Sequence, residues 1–211
     1  MPSHVTLSSE RTDWQTPRPV LDLVRAVRPI LIDPASAPDN PTGATFYAAR
    51  GPIPSLVPIP GLCVAGCGLS HAWHLIALEA REIPGLAFWN PPYGAHLSGP
   101  IEPDYRIVRK GVHIGTGRGW AAKYALEARA GLESIALVPV RTDAEWWHAM
   151  ADASSCYLFW RSPTLGARIS FVDPRTGRAV QGSNLASTVF YSGPEPSRFA
   201  AVFSPHGRIA P

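Results

Sequence analysis

The stretch LAFWNPPYGA, residues 86–95, changes character within ten positions. Its first four residues form an unbroken apolar run, too short and too evenly apolar for a surface helix, and read as a strand buried on both faces. The run stops at Asn90-Pro91-Pro92-Tyr93. Two adjacent prolines fix their backbone angles and cannot continue a ladder, so a rigid loop follows the strand. A simple turn would account for that much. A rigid loop also presents the Asn90 amide and the Asn90 and Pro91 carbonyls at set angles, able to accept hydrogen bonds from an NH2 group. Tyr93 can lie flat on a planar ring, a contact worth about 1–3 kcal/mol per base. An amine conjugated to such a ring is a poor nucleophile, because its lone pair is delocalised. Accepting bonds from both its hydrogens draws the nitrogen toward a tetrahedral shape and frees that pair.

Around this stretch, strands and helices alternate. Residues 1–13 are polar and predict a loose N-terminal arm. TPRPVLDLVRAV (16–27) places Val20, Leu21, Val24 and Val27 on one helical face, with its prolines at the start. A short buried strand is expected over 30–33, halted by Pro34, followed by an irregular proline-, glycine- and alanine-rich excursion over 34–61. Residues 63–85 predict a turn and a short helix. The polar segment from His96 to Arg118 carries Arg106, Arg109, Lys110 and Arg118 against Glu102 and Asp104. GWAAKYALEARAG (119–131) predicts a helix closed by Gly131. SIALVPV (134–140) predicts a third buried strand, and TDAEWWHAMADA (142–153) a helix with Thr142 or Asp143 as its cap. CYLFW, ARISFVDPRTGRAV, STVFY and FAAVF read as strands, with a hairpin around Arg175-Thr176-Gly177-Arg178. The pattern predicts one α/β domain: a mostly parallel twisted sheet flanked by helices, with antiparallel strands at its C-terminal end. Ligands of such sheets collect at the carboxyl ends of the strands. Asp33, Asn90 and Arg141 each close a predicted strand, and one cleft can take all three.

Composition fits this architecture. The 211 residues are 45% hydrophobic and 17% charged, enough for a core and unlike a disordered tail. A formal charge of +3, from 19 basic and 16 acidic side chains, permits nucleic-acid binding without demanding it. Cys63, Cys67 and Cys156 form no even disulfide framework, and two cysteines four apart without a second ligand pair argue against structural zinc. His148 has no partner at metal spacing, so no metal site is expected. No apolar signal core opens the chain and no segment has the length of a bilayer span, which predicts a cytoplasmic protein.

An Asn-Pro-Pro-Tyr loop after a strand resembles the [DNS]-P-P-[YF] hallmark of S-adenosylmethionine-dependent amino methyltransferases. Further stretches, in order, resemble the phage-type DNA N6-adenine methyltransferases of the Dam-like family. They are DWQTP (13–17), LIDPAS (31–36) with Asn40 after it, CGLSHAW (67–73), ALVPVRTDAEWWH (136–148) and the segment CYLFWRSPTLGARISF (156–171). The resemblance runs from residue 13 to about residue 192. It implies a Rossmann-like domain in which Asn90, Pro91, Pro92 and Tyr93 hold a flipped-out adenine, while Thr16, Pro17, Asp33, Pro34 and Ala35 lie on S-adenosylmethionine. Arg141, Thr142, Asp143, Trp146 and His148 are family positions on the substrate side. The implied partner is double-stranded DNA, in a bacterial host cell if the protein is phage-encoded. Three features depart from the family. No G-x-G follows the Asp33 segment; Cys67 stands where the family has aspartate, removing a carboxylate from the cofactor; and 95–118 looks like an inserted loop.

Individual residues carry plainer readings as well. Asp33 could cap or sit solvated in a loop, and Arg141-Thr142-Asp143 could serve only the helix that follows. Of the tryptophans on that helix, at least one is expected in the core. Arg109 and Lys110 in the insertion are the expected phosphate contacts, giving affinity without reading sequence. Other acceptors share the chemistry: cytosine N4 or a protein glutamine amide. A DNA-binding relic without activity is the alternative from another class.

Overall fold

The computed structural model describes residues 14–49, 61–64, 67–103, 106–109, 112–115, 117–180 and 186–211. The sheet grows outward in both directions from β1 (Ile30–Ser36). On one side β1 pairs in parallel with β2 (Phe46–Ala49), which pairs with the two-residue β3 (Leu62–Cys63). On the other it pairs in parallel with β4 (Leu86–Trp89), and β4 with β7 (Ser134–Pro139). The hairpin β5 (Arg106–Arg109) and β6 (Val112–Gly115) stands apart as a two-stranded sheet. Beyond β7 lie β9 (Ser187–Ser192), β8 (Cys156–Trp160) and β10 (Gly207–Ala210), each antiparallel to its neighbour. The order is β10-β8-β9-β7-β4-β1-β2-β3, a mixed sheet whose antiparallel pairings all involve the C-terminal strands.

Two apolar layers cover the two faces, and the strands divide their side chains between them. Leu86 and Phe88 of β4, with Ile135 and Leu137 of β7, join a core with α1 (Arg18–Val27) and α5 (Pro196–Phe203). Ala87, Trp89, Ala136 and Val138 face the opposite core. That core takes Trp73 of α2 (Trp73–Glu79), Trp120 and Tyr124 of α3 (Trp120–Arg129), and Trp147 and Met150 of α4 (Glu145–Asp152). Alternate residues of a fully apolar run thus feed separate layers, as a strand buried on both faces requires.

Several expectations are corrected. β1 does not stop at Pro34. Its pairing with β4 ends at Ile32, and its pairing with β2 shifts register between Asp33 and Ser36, so the proline falls where no ladder bond is interrupted. The excursion over 34–61 contains β2, and its residues 50–60 lie outside the described residues. FAAVF is helical: Phe199 and Phe203, four apart, both fully buried, stack at 4.6 Å on one face of α5, with Pro196 in its first turn. ARISFVDPRTGRAV forms no regular strand; Val172 bridges to Gln15 and to Ala179, closing a turn over 173–178. β10 was not expected. Ala144, not Thr142 or Asp143, caps α4, without a side-chain bond. The expected insertion over 95–118 carries the β5–β6 hairpin rather than bare loop. The expected arm over 1–13 lies outside the described residues. No helix among the described residues is long and apolar enough to cross a membrane.

Candidate active site

Chain order reverses between β1 and β4: one neighbour of β1 continues the chain to one side, the other returns on the opposite side. A crevice opens at such a point, beyond the carboxyl ends of the strands. Here it is a cavity of about 270 Å³, close to the lower end of the roughly 300–1,000 Å³ of ligand pockets. Thr16, the β1 terminus from Asp33 to Ser36, Asn90 and Pro92 line it together. The loss of β1–β4 pairing after Ile32 separates the two strand ends and makes this room.

Asp33 is the acid of the cavity among the described lining residues. It is 4% exposed. Oδ2 accepts from the Thr42 hydroxyl at 2.8 Å and Oδ1 from the Ala35 N–H at 3.1 Å. Burial pushes its carboxyl up from 3.8 to about 6, and these bonds recover only part of the lost hydration. Ser36 stands close enough to favour the charged form, yet its buried Oγ has no partner within hydrogen-bond distance.

The loop that delivers Thr42 is organised by Asn40, held at φ 46°. Asn40 Nδ2 donates to the Ala44 carbonyl at 3.0 Å and Oδ1 accepts from Ala44 N–H at 3.1 Å. Asn40 therefore builds the acid's support and does not line the cavity. Gly68 seals the other wall. A Cβ there would meet the Pro34 carbonyl oxygen at 1.8 Å, so only glycine lets the Cys67–Gly68 backbone lie against the end of β1. Trp73 Nε1 fixes that approach by donating to the Gly68 carbonyl at 2.6 Å.

The Asn-Pro-Pro-Tyr loop is held from three sides. Asn90 Nδ2 donates to the Trp14 carbonyl at 3.4 Å, which orients the amide oxygen the other way. That oxygen accepts from the Tyr93 hydroxyl at 2.9 Å, with the Leu137 carbonyl at 3.3 Å as a second acceptor. The Tyr93 ring meets Phe171 edge-on, centroids 6.0 Å apart at 80°. Burial drives the Tyr93 phenol far above its ordinary 10, so it stays a donor. One lone pair of Asn90 Oδ1 remains for another donor.

The other expected residues are placed as follows. Pro34 and Ala35 line the cavity. Pro17 is the N-cap of α1, its carbonyl accepting from Val20 and Leu21, and is not in the lining. Pro91 is buried and Tyr93 half-buried, both outside the lining. Arg141, Thr142, Asp143, Trp146 and His148 do not line it either. Arg141 grips Asp143 through two bonds of 2.9 and 3.0 Å, and the His148 ring bonds the Thr142 carbonyl at 2.9 Å, tying off the start of α4. Trp147 enters the core and donates to Thr188 at 3.1 Å. Arg109 belongs to β5, its side chain not described; Lys110 lies outside the described residues. Among the described residues no group of three or more His, Cys, Asp or Glu could hold a metal ion.

Thr42, Gly68 and Trp120 belong to the cavity without having been singled out for it. Gly68 left the one usable signal, a glycine inside Cys-Gly-Leu with no turn requirement. Comparison of the chain with protein-family models, with curated proteins and with solved structures returns no match.

Proposed function

We propose that this protein is an S-adenosylmethionine-dependent methyltransferase with a Rossmann-like domain, acting on the N6 amine of adenine in DNA. One observation carries this most: a single cavity at the switch point of the sheet joins Thr16, the Asp33 strand end, Asn90 and Pro92. The parallel part, in the order β3-β2-β1-β4-β7, matches the first five strands of the doubly wound 3-2-1-4-5-6 pattern.

The lining suits such a cofactor. Ala35, Ala37, Ala48, Ala49 and Gly68 leave space, and Asp33 offers a buried carboxylate to a cationic ligand. The Ser36 hydroxyl beside Asp33 adds a donor. When bound, the cofactor supplies a methyl group on a positively charged sulfur and leaves as a neutral thioether. The protein's part is placement and hydrogen-bond acceptance. Asn90 Oδ1, held by the Trp14 and Tyr93 bonds, accepts one amine hydrogen, and the loop carbonyls accept the other. Tyr93 stacks on the ring. The base must leave the duplex, since its amine is otherwise out of reach.

Mass spectrometry of nucleosides from unmethylated duplex DNA incubated with protein and S-adenosylmethionine tests this, with Asn90→Ala beside it. N6-methyladenine from the intact protein alone is the expected result. Methylcytosine would reassign the acceptor, and the absence of any methylated base would refute a DNA substrate.

A further inference from the structure

The chain's positive charge is concentrated beside the site. Residues 161–180, between β8 and β9, hold Arg161, Arg168, Arg175 and Arg178 against Asp173 alone, a net of +3. The whole chain also carries +3, so the remaining residues balance to zero. Asp173 is 12% exposed at its side chain; Oδ1 accepts from the Arg175 N–H at 2.9 Å, shaping the turn, and stands 3.6 Å from the Arg175 Nε, a loose pair that leaves most of the exposed guanidinium available. All four arginines are exposed.

This connection is fastened to the candidate site. Phe171 meets the Tyr93 ring, and Val172 exchanges backbone bonds of 3.1 and 2.9 Å with Gln15, itself a cavity residue. β8 runs the same way as β7, since β9 opposes both, and β4 is parallel to β7, so Arg161 emerges at the same end of the sheet as Asn90 after β4. Arg208 joins it there: β10 pairs Gly207 with Trp160, and Arg161 and Arg208 line one open cleft beside Trp160. Exposed guanidinium groups on a surface rigidly joined to a base-holding loop suit phosphodiesters flanking an extruded base, which position a duplex without reading it.

We infer that the β8–β9 connection, with Arg208 beside it, grips the sugar-phosphate backbone of double-stranded DNA around the Asn90–Tyr93 cleft. This rests on the adenine assignment of that cleft and relocates the main phosphate contacts from the 95–118 segment. The test is fluorescence anisotropy of a labelled 20-base-pair duplex with the full chain, at salt from 50 to 200 mM. Arg175→Ala/Arg178→Ala is compared with Arg81→Ala/Arg129→Ala, an equal charge change at the opposite end of the strands, just before β4 and β7 begin. Two lost phosphate contacts reduce the slope of log K against log salt by about 1.8. The loop double variant shows that loss and the control double does not. Equal slopes in both variants, or a wild type without duplex affinity, overturn the inference. The cleft is judged separately, by thermal stabilisation with S-adenosylmethionine, which both double variants retain.

Discussion

Replacing Asp33 with asparagine should make the ligand-free protein more stable at alkaline pH and leave it unchanged in acid. Burial raises the Asp33 carboxyl from 3.8 to about 6, so between these values the folded chain holds a proton that the unfolded chain has released. Stability then falls as pH rises: the full value is present below the unfolded pKa and is lost on passing through the folded one. A displacement of about two units corresponds to about 3 kcal/mol. Asparagine never ionises, its oxygen still accepts from Ala35 N–H, and its NH2 can donate to the Thr42 oxygen. Urea unfolding should give equal stabilities at pH 3, below the unfolded value, and a variant about 2–3 kcal/mol more stable at pH 8, where thermal unfolding should show a midpoint gain of about 5–10 °C for a chain of this size. A cationic ligand then closes most of that gap at pH 8. At 100 times its dissociation constant it adds about 2.7 kcal/mol to the wild type and much less to the variant. A stability difference that does not change between pH 3 and 8, or a variant less stable at pH 8, would refute the assignment of Asp33 as a desolvated carboxylate.

Gly68→Ala forces a Cβ against the Pro34 carbonyl and should lower stability by about 1–3 kcal/mol while abolishing ligand-induced thermal shifts. Glu127, fully buried, holds Lys123 Nζ at 2.6 Å and His74 Nδ1 at 2.7 Å; burial alone would raise its carboxyl, yet these partners keep it below the usual range. Glu127→Leu should cost about 3–5 kcal/mol in chemical denaturation by stranding Lys123, and Lys123→Met/Glu127→Leu should cost less than the single change. Tyr93→Phe keeps the ring and removes the hydroxyl on Asn90, so kcat/KM for adenine should stay within a few-fold. Tyr93→Ala, by losing a stacking contact of about 1–3 kcal/mol, should lower it about 5- to 150-fold.

What could be read in advance followed from local rules. Leu86–Trp89 and Ser134–Pro139 are apolar at every position, or nearly so, and such runs have few destinations other than a strand covered on both faces. Val20, Leu21, Val24 and Val27 leave one helical stripe, and all four are buried. Where two local rules conflict, the sequence alone does not decide between them. Pro34 signals a strand end only when both neighbours are bonded, and the sequence does not reveal that β4 has already departed. Phe199 and Phe203 fit a short apolar run as well as a helix, and the contacts that favour the helix, such as the stacking of Phe199 on Tyr191 at 5.1 Å, are tertiary. The cavity was half-visible for the same reason. Asp33 and Asn90 stand at strand ends, which is local information. Thr42, nine residues from the acid it bonds, and Gly68, packed on Pro34, arrive through loops whose course depends on the whole sheet.

The Cys67 position tests whether this cavity is tuned around a single charge. Cys67 lines the same space as Asp33, and an acid there would place two carboxylates in a desolvated pocket. Like charges at close range push one pKa strongly upward, and Asp33 already stands at about 6 with no such neighbour. Cys67→Asp should therefore lower ligand-free stability at pH 8 by more than Cys67→Asn, and shift the pH at which stability is lost to a higher value. If a carboxylate at this position also grips the ligand, S-adenosylmethionine should bind the aspartate variant more tightly than the wild type above that pH, measured by titration calorimetry. Equal affinity for the wild type, Cys67→Asn and Cys67→Asp would mean that residue 67 does not face the ligand. Residue 67 would then serve packing beside Pro34, with the electrostatics left to Asp33 alone.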